Sequence, residues 1–172
     1  MILRLAASLL LALSAGQSEL LIFGGDPPVP SAEPENRLYY PVAADGPRVL
    51  ANALAQSATN KTFAVIVFGA DWCHDSRALA KVLTSAEFRS EFGGWYEVTF
   101  IDVGRPQTGE GRNLELVKQL GVKNLKSTPA LFVLRADGKV LNGKKDAVSW
   151  RNAESRGEAA TLAWFRKLAA KR

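Results

Sequence analysis

Apolar positions along this chain recur with two periods, and the segments they mark alternate. Val49, Leu50, Ala53 and Leu54 share one helical face and predict a helix over residues 48–57, with a turn at Asn60-Lys61 after it. Residues 63–68, Phe-Ala-Val-Ile-Val-Phe, form an unbroken apolar run rich in β-branched side chains. Such a run predicts a strand buried on both faces. Leu79, Val82 and Leu83 mark a helix beginning at Arg77, which Thr84-Ser85 divides from a second piece carrying Phe88 and Phe92. Gly93-Gly94 ends it.

Residues 95–103 predict a second strand through Val98, Phe100 and Ile101, and residues 104–112 read as a loop. Asn113 is the expected N-cap of a helix carrying Leu114, Leu116, Val117 and Leu120, which Gly121 stops. Residues 130–134 predict a third buried strand, and Ala136-Asp137-Gly138-Lys139 a hairpin turn into Val140-Leu141. Leu162, Trp164, Phe165 and Leu168 predict a closing amphipathic helix over residues 158–171. From the first buried strand the order is β-α-β-α-β-β-α. The expected fold class is α/β, a central mixed β-sheet flanked by helices on both faces.

The first 47 residues follow neither period. Residues 1–18 carry Arg4, an apolar stretch from Leu5 to Leu13, and small residues at Ser14, Ala15 and Gly16. This order predicts a secretory signal peptide cleaved near residues 15–18, and hence a periplasmic or secreted protein. The stretch is shorter than the ~20 apolar residues that span a bilayer, so no stable membrane insertion is expected after cleavage. Residues 19–47 hold six of the eight prolines and read as a linker or arm. Within it Leu38, Tyr39 and Tyr40 form an apolar cluster suited to docking the arm onto the domain at residues 48–172.

Composition narrows the chemistry. The net charge is +5, and the basic residues are spread along the chain. No nucleic-acid partner is expected, since neither a basic stripe nor a known module is present. One cysteine, Cys73, and one histidine, His74, exclude an internal disulfide and any metal site built on paired cysteines. Neither a metal nor a cofactor is expected. Any redox chemistry runs through one sulfur and a second molecule.

Cys73 follows a buried strand and stands at a helix start. Unpaired N–H groups and the helix dipole favour a thiolate there, and the thiolate is the nucleophile of disulfide exchange. Ser76, one turn on, is placed to donate a hydrogen bond to the sulfur, and a protonated His74 would favour the anion. Asp71 and Asp75 oppose it.

Residues 67–76, Val-Phe-Gly-Ala-Asp-Trp-Cys-His-Asp-Ser, resemble the active-site segment of the thioredoxin-like superfamily, in which an apolar strand leads into Trp-Cys-x-x-Cys. Thr128-Pro129-Ala130 before an apolar strand resembles the family's cis-proline loop. Within the superfamily the segment is most similar to exported bacterial members. The resemblance implies a thioredoxin fold over residues 48–172. It implies that Cys73 is the attacking cysteine, that Trp72 packs beside it, and that Pro129 faces the sulfur. It also implies that the Thr128 backbone pairs with a bound peptide. Two positions depart from the pattern. Ser76 replaces the resolving cysteine, and Val67 stands where many relatives carry a buried acid.

The expected function is monothiol disulfide exchange centred on Cys73 and Ser76, with Trp72, His74, Thr128 and Pro129 binding substrate. The partners would be protein disulfides or glutathione-type thiols, with an external thiol as reductant. The alternatives are a non-catalytic peptide-binding module and a cysteine redox sensor.

Overall fold

The structure, a computed structural model, describes residues 37–170. The predicted leader and the arm up to residue 36 lie outside the described residues.

Helix α1 (Gly46–Asn60) opens on Asp45, whose carboxylate accepts the Arg48 N–H at 3.2 Å, and has Pro47 in its first turn. Lys61 closes it in the left-handed region. Strand β1 (Phe63–Gly69) follows, then α2 (His74–Leu83) and α3 (Ala86–Phe92). The break between these two helices is a capping event: the Ser85 hydroxyl accepts the Phe88 N–H at 3.0 Å and starts α3. Strand β2 (Tyr96–Asp102) comes next.

β1 is the middle strand. It runs parallel to β2, with Phe63 opposite Tyr96 and Gly69 opposite Asp102. It runs antiparallel to β5 (Ala130–Leu134), with Phe68 opposite Ala130. The sheet is therefore mixed, in the order β2-β1-β5. Strand pleating sends alternate residues to opposite faces. Val65, Val67, Leu131 and Val133 pack with Leu79, Leu83, Phe88, Phe92, Leu162 and Phe165. Ala64, Ile66, Phe68, Phe132 and Leu134 pack with Ala53, Leu116, Val117 and Ala147. Each fully buried side chain of this size contributes about 1.5–3 kcal/mol, so the sheet is held from both sides. This is the mixed α/β architecture with two helical layers that the periodicity predicts.

Four details differ from the sequence reading. Residues 104–112 are not simple loop. They form a short hairpin of β3 (Gly104–Arg105) and β4 (Glu110–Gly111), closed by a 3-10 turn at Pro106–Thr108. Gly104 and Gly109, at φ +61° and +84°, take left-handed conformations that other residues adopt at a cost. Asn113 is the N-cap residue of α4 (Leu114–Gln119), but its side chain makes no capping bond. Its backbone is left-handed, and its amide donates to the Asp102 carbonyl at 2.8 Å.

Val140-Leu141 makes only an isolated bridge with β5, through Leu134 and Val140. The buried Asn142 side chain replaces the missing strand. It accepts the Val133 N–H and donates to the Leu131 carbonyl, both at 2.9 Å. Finally, α5 (Lys144–Val148) and a 3-10 turn at Ser149–Asn152 precede α6 (Ala153–Ala169), which starts five residues before the predicted Glu158. Gly157, at φ 74° and ψ 172°, breaks α6, and the periodic helix runs on from that break. Among the described residues no helix is long and apolar enough to cross a membrane.

Candidate functional site

β1 ends at Gly69 and delivers the reactive segment to the top of the sheet. The Cys73 N–H turns back to the Ala70 carbonyl at 3.0 Å, and the Cys73 carbonyl accepts the Arg77 N–H at 3.1 Å. Cys73 is thus the N-cap residue of α2, with extended backbone (φ −88°, ψ 120°) and no side-chain capping bond. Its sulfur lies 3.5 Å from the Thr128 carbonyl oxygen. The Thr128–Pro129 bond is cis. The Cys73 side chain and the cis-proline loop are therefore neighbours, although 55 residues separate them. That loop also covers the cysteine, which is only 7% exposed.

Ser76 is fully buried, and its hydroxyl has no hydrogen-bond partner. This corrects the expected bond to the sulfur. The hydroxyl lies instead against the end of β1: a Cβ on Gly69 would stand 2.7 Å from Ser76 Oγ and from the Tyr40 ring. Gly69 is the residue that lets the two come so close. Thr128 Oγ1 is likewise buried and unpartnered. Val67, in place of the family's acid, is fully buried among apolar neighbours.

His74 projects from the start of α2, its side chain 65% exposed and its Nε2 3.2 Å from Asp75 and 3.8 Å from Glu154. Asp75 in turn accepts the Glu154 N–H at 2.9 Å, tying α2 to α6. Trp72 is 43% exposed. Its indole N–H donates to the Gly104 carbonyl at 2.9 Å, and the Arg105 guanidinium lies 5.2 Å from its ring centroid. Six predicted site residues thus fall in two neighbouring segments: Trp72, Cys73, His74 and Ser76 at the α2 start, Thr128 and Pro129 in the cis-proline loop.

Three residues make contacts at the site that the sequence reading did not assign them. Asp71 accepts the backbone N–H groups of Tyr39 and Tyr40 at 2.8 and 3.0 Å. Tyr40, 1% exposed, donates its hydroxyl to the Ser76 carbonyl at 3.1 Å and packs edge-on against Phe100. The arm is therefore fastened at both ends of the reactive segment, while Leu38 stays 78% exposed. Burial holds the Tyr40 phenol well above its ordinary pKa. The third is Asp102 at the end of β2, 4% exposed. It accepts the Gly104 N–H at 3.0 Å and pairs with Arg112 at 3.3 Å. Burial raises its pKa despite both partners. A buried acid on a neighbouring strand leaves no periodic signal, and side-chain bonds across more than thirty residues leave none either. Among the described residues no group of three or more His, Cys, Asp or Glu could hold a metal ion.

The fold and this juxtaposition have a counterpart among solved structures. The crystal structure of a disulphide isomerase from Xylella fastidiosa Temecula1 is similar at a TM-score of 0.69 with 32% sequence identity, over 78% of this chain and 98% of that one. No family model matches the sequence. No curated protein matches it. With identity at this level across nearly the whole of the isomerase, and a helix-capping cysteine set against a cis-proline loop, the chain belongs to the thioredoxin-like superfamily.

Proposed function

We propose that this protein carries out thiol–disulfide exchange through Cys73 alone, as a monothiol member of its superfamily acting on exported proteins. The observation that carries the reading is the Cys73 sulfur at the start of α2, 3.5 Å from the Thr128 carbonyl. The Xylella disulphide isomerase supports the reaction class.

In the first step the Cys73 thiolate attacks one sulfur of a partner disulfide. A Cys73–partner disulfide forms, and the partner's other sulfur leaves as a thiolate. Ser76 cannot resolve this species, because its hydroxyl has no accessible anion at neutral pH. An external thiolate attacks the Cys73 sulfur and releases the partner as a dithiol. A second external thiol then displaces Cys73 and leaves as a symmetrical disulfide. If a different free cysteine thiolate of the partner attacks the partner's sulfur in the mixed disulfide instead, Cys73 leaves as the thiolate and the outcome is isomerisation with no net electron transfer.

Reduction of hydroxyethyl disulfide by a small thiol, measured for the full chain and for Cys73→Ala, tests this. The wild type is expected to accelerate the reaction and the variant to fall to the uncatalysed rate. Equal rates would sink the proposal.

A further inference from the structure

Beside Trp72 lies a cavity of about 290 Å³ lined by Val42, Trp72, Asp102, Gly104, Arg105, Glu110 and Arg112. Trp72 directly precedes the cysteine in the chain, so the cavity borders the reactive segment. Its walls are fixed from both sides. The Trp72 N–H is tied to the hairpin at Gly104, and the arm that carries Val42 is tied to Asp71 through Tyr39 and Tyr40.

The charges around it are unequally engaged. Asp102 is taken by the Gly104 N–H and Arg112. Glu110, a carboxylate opposite Arg105 across the hairpin, accepts from the Thr108 hydroxyl at 3.2 Å without closing to ion-pair distance of Arg105. Arg105 lies over the Trp72 ring and makes no carboxylate ion pair within 4 Å among the described residues. A guanidinium can lie over an aromatic face and still offer its N–H fork to a planar anion. Val42 and Trp72, 62% and 43% exposed, are two of the large apolar side chains left uncovered, and both border this cavity.

We propose that Arg105, with Val42 and Trp72, forms a substrate subsite beside Cys73 that receives an acidic residue and its apolar neighbour next to the disulfide of an extended polypeptide. The inference rests on the exchange reaction proposed above and specifies its substrate. Arg105 selects by charge, and the two apolar side chains supply contact area without regard to sequence.

The test uses the full chain and four synthetic peptides, each with one cysteine held as a mixed disulfide with mercaptoethanol. The flanking pairs are Leu-Asp, Leu-Lys, Ser-Asp and Ser-Ser. The expected result is kcat/KM for Leu-Asp about three- to five-fold above Leu-Lys, the size of an exposed ion pair. The advantage should shrink as salt is raised from 0.05 to about 0.5 M, where the Debye length falls well below 10 Å. Arg105→Gln should bring the Leu-Asp to Leu-Lys ratio close to one, and Arg105→Lys should restore part of it. Hydroxyethyl disulfide separates the two failures. Turnover of that neutral compound with no discrimination among peptides, or a ratio indifferent to Arg105→Gln, overturns the subsite alone. No turnover of any disulfide overturns the exchange reaction, and the subsite with it.

Discussion

Ser76 and Cys73 are one helical turn apart, yet their side chains have different surroundings. The serine hydroxyl is buried without a partner, beside Gly69 and the Tyr40 ring. Removing an unsatisfied buried hydroxyl is close to neutral or favourable. Ser76→Ala is therefore expected to leave disulfide reduction within about two-fold of wild type and to change unfolding free energy by less than ~1 kcal/mol. A steep loss of rate, seen in the same reductase assay, would assign the hydroxyl a chemical role. Asp102 gives a pH signature. Its pKa is raised in the folded protein, so the folded state holds the proton more tightly than the unfolded state. Its stabilising contribution is present below the ordinary carboxylate value and is lost as pH rises through the raised native value. Asp102→Asn should flatten this part of the stability–pH curve, which urea titrations at a series of mildly acidic pH values would read. The sequence places the sulfur and Ser76 one turn apart but does not show the hydroxyl's direction or the burial of Asp102, because both depend on residues from other elements.

At the level of elements, two devices replace regular structure. Asn142 supplies one acceptor and one donor to the edge of β5 where a strand was expected. Asn142→Leu leaves the Val133 N–H and the Leu131 carbonyl buried and unpaired, at about 1–3 kcal/mol for each group, and should lower the denaturation midpoint accordingly. The hairpin turn before it was legible, since Gly138 takes φ +81° there, but a side chain mimicking a strand has no period to detect. Gly157 is the second device. A Cβ there would meet nothing within 4 Å, so the whole cost of Gly157→Ala is conformational. Its φ and ψ lie in a region open essentially to glycine, which sets that cost at about 1–3 kcal/mol by chemical denaturation. The sequence period shows the helix beyond this break, where Leu162 and Phe165 are buried, but gives no sign of the uncoupled turn before it.

Across the whole molecule, the three long apolar strands and the three helices with the clearest periods were legible, because the two-layer packing that buries them repeats every 2 or 3.6 residues. The cysteine and the cis-proline loop were legible as motifs. The Tyr39–Tyr40 arm was legible only as an apolar cluster in a proline-rich stretch, and Tyr40 turned out to carry the burial while Leu38 remained in solvent. Asp71→Ala should release the arm: the Tyr39 and Tyr40 amides should exchange with deuterium markedly faster, and the fold should lose about 1–3 kcal/mol. The arm also moves the boundary of the working unit. A protease that nicked the chain between Pro41 and Asp45 would spare every helix and strand of the sheet domain. It would nevertheless detach the segment that anchors Asp71, two residues before the sulfur. A single cut in this short stretch would be a way to retire the thiol while the folded body persists.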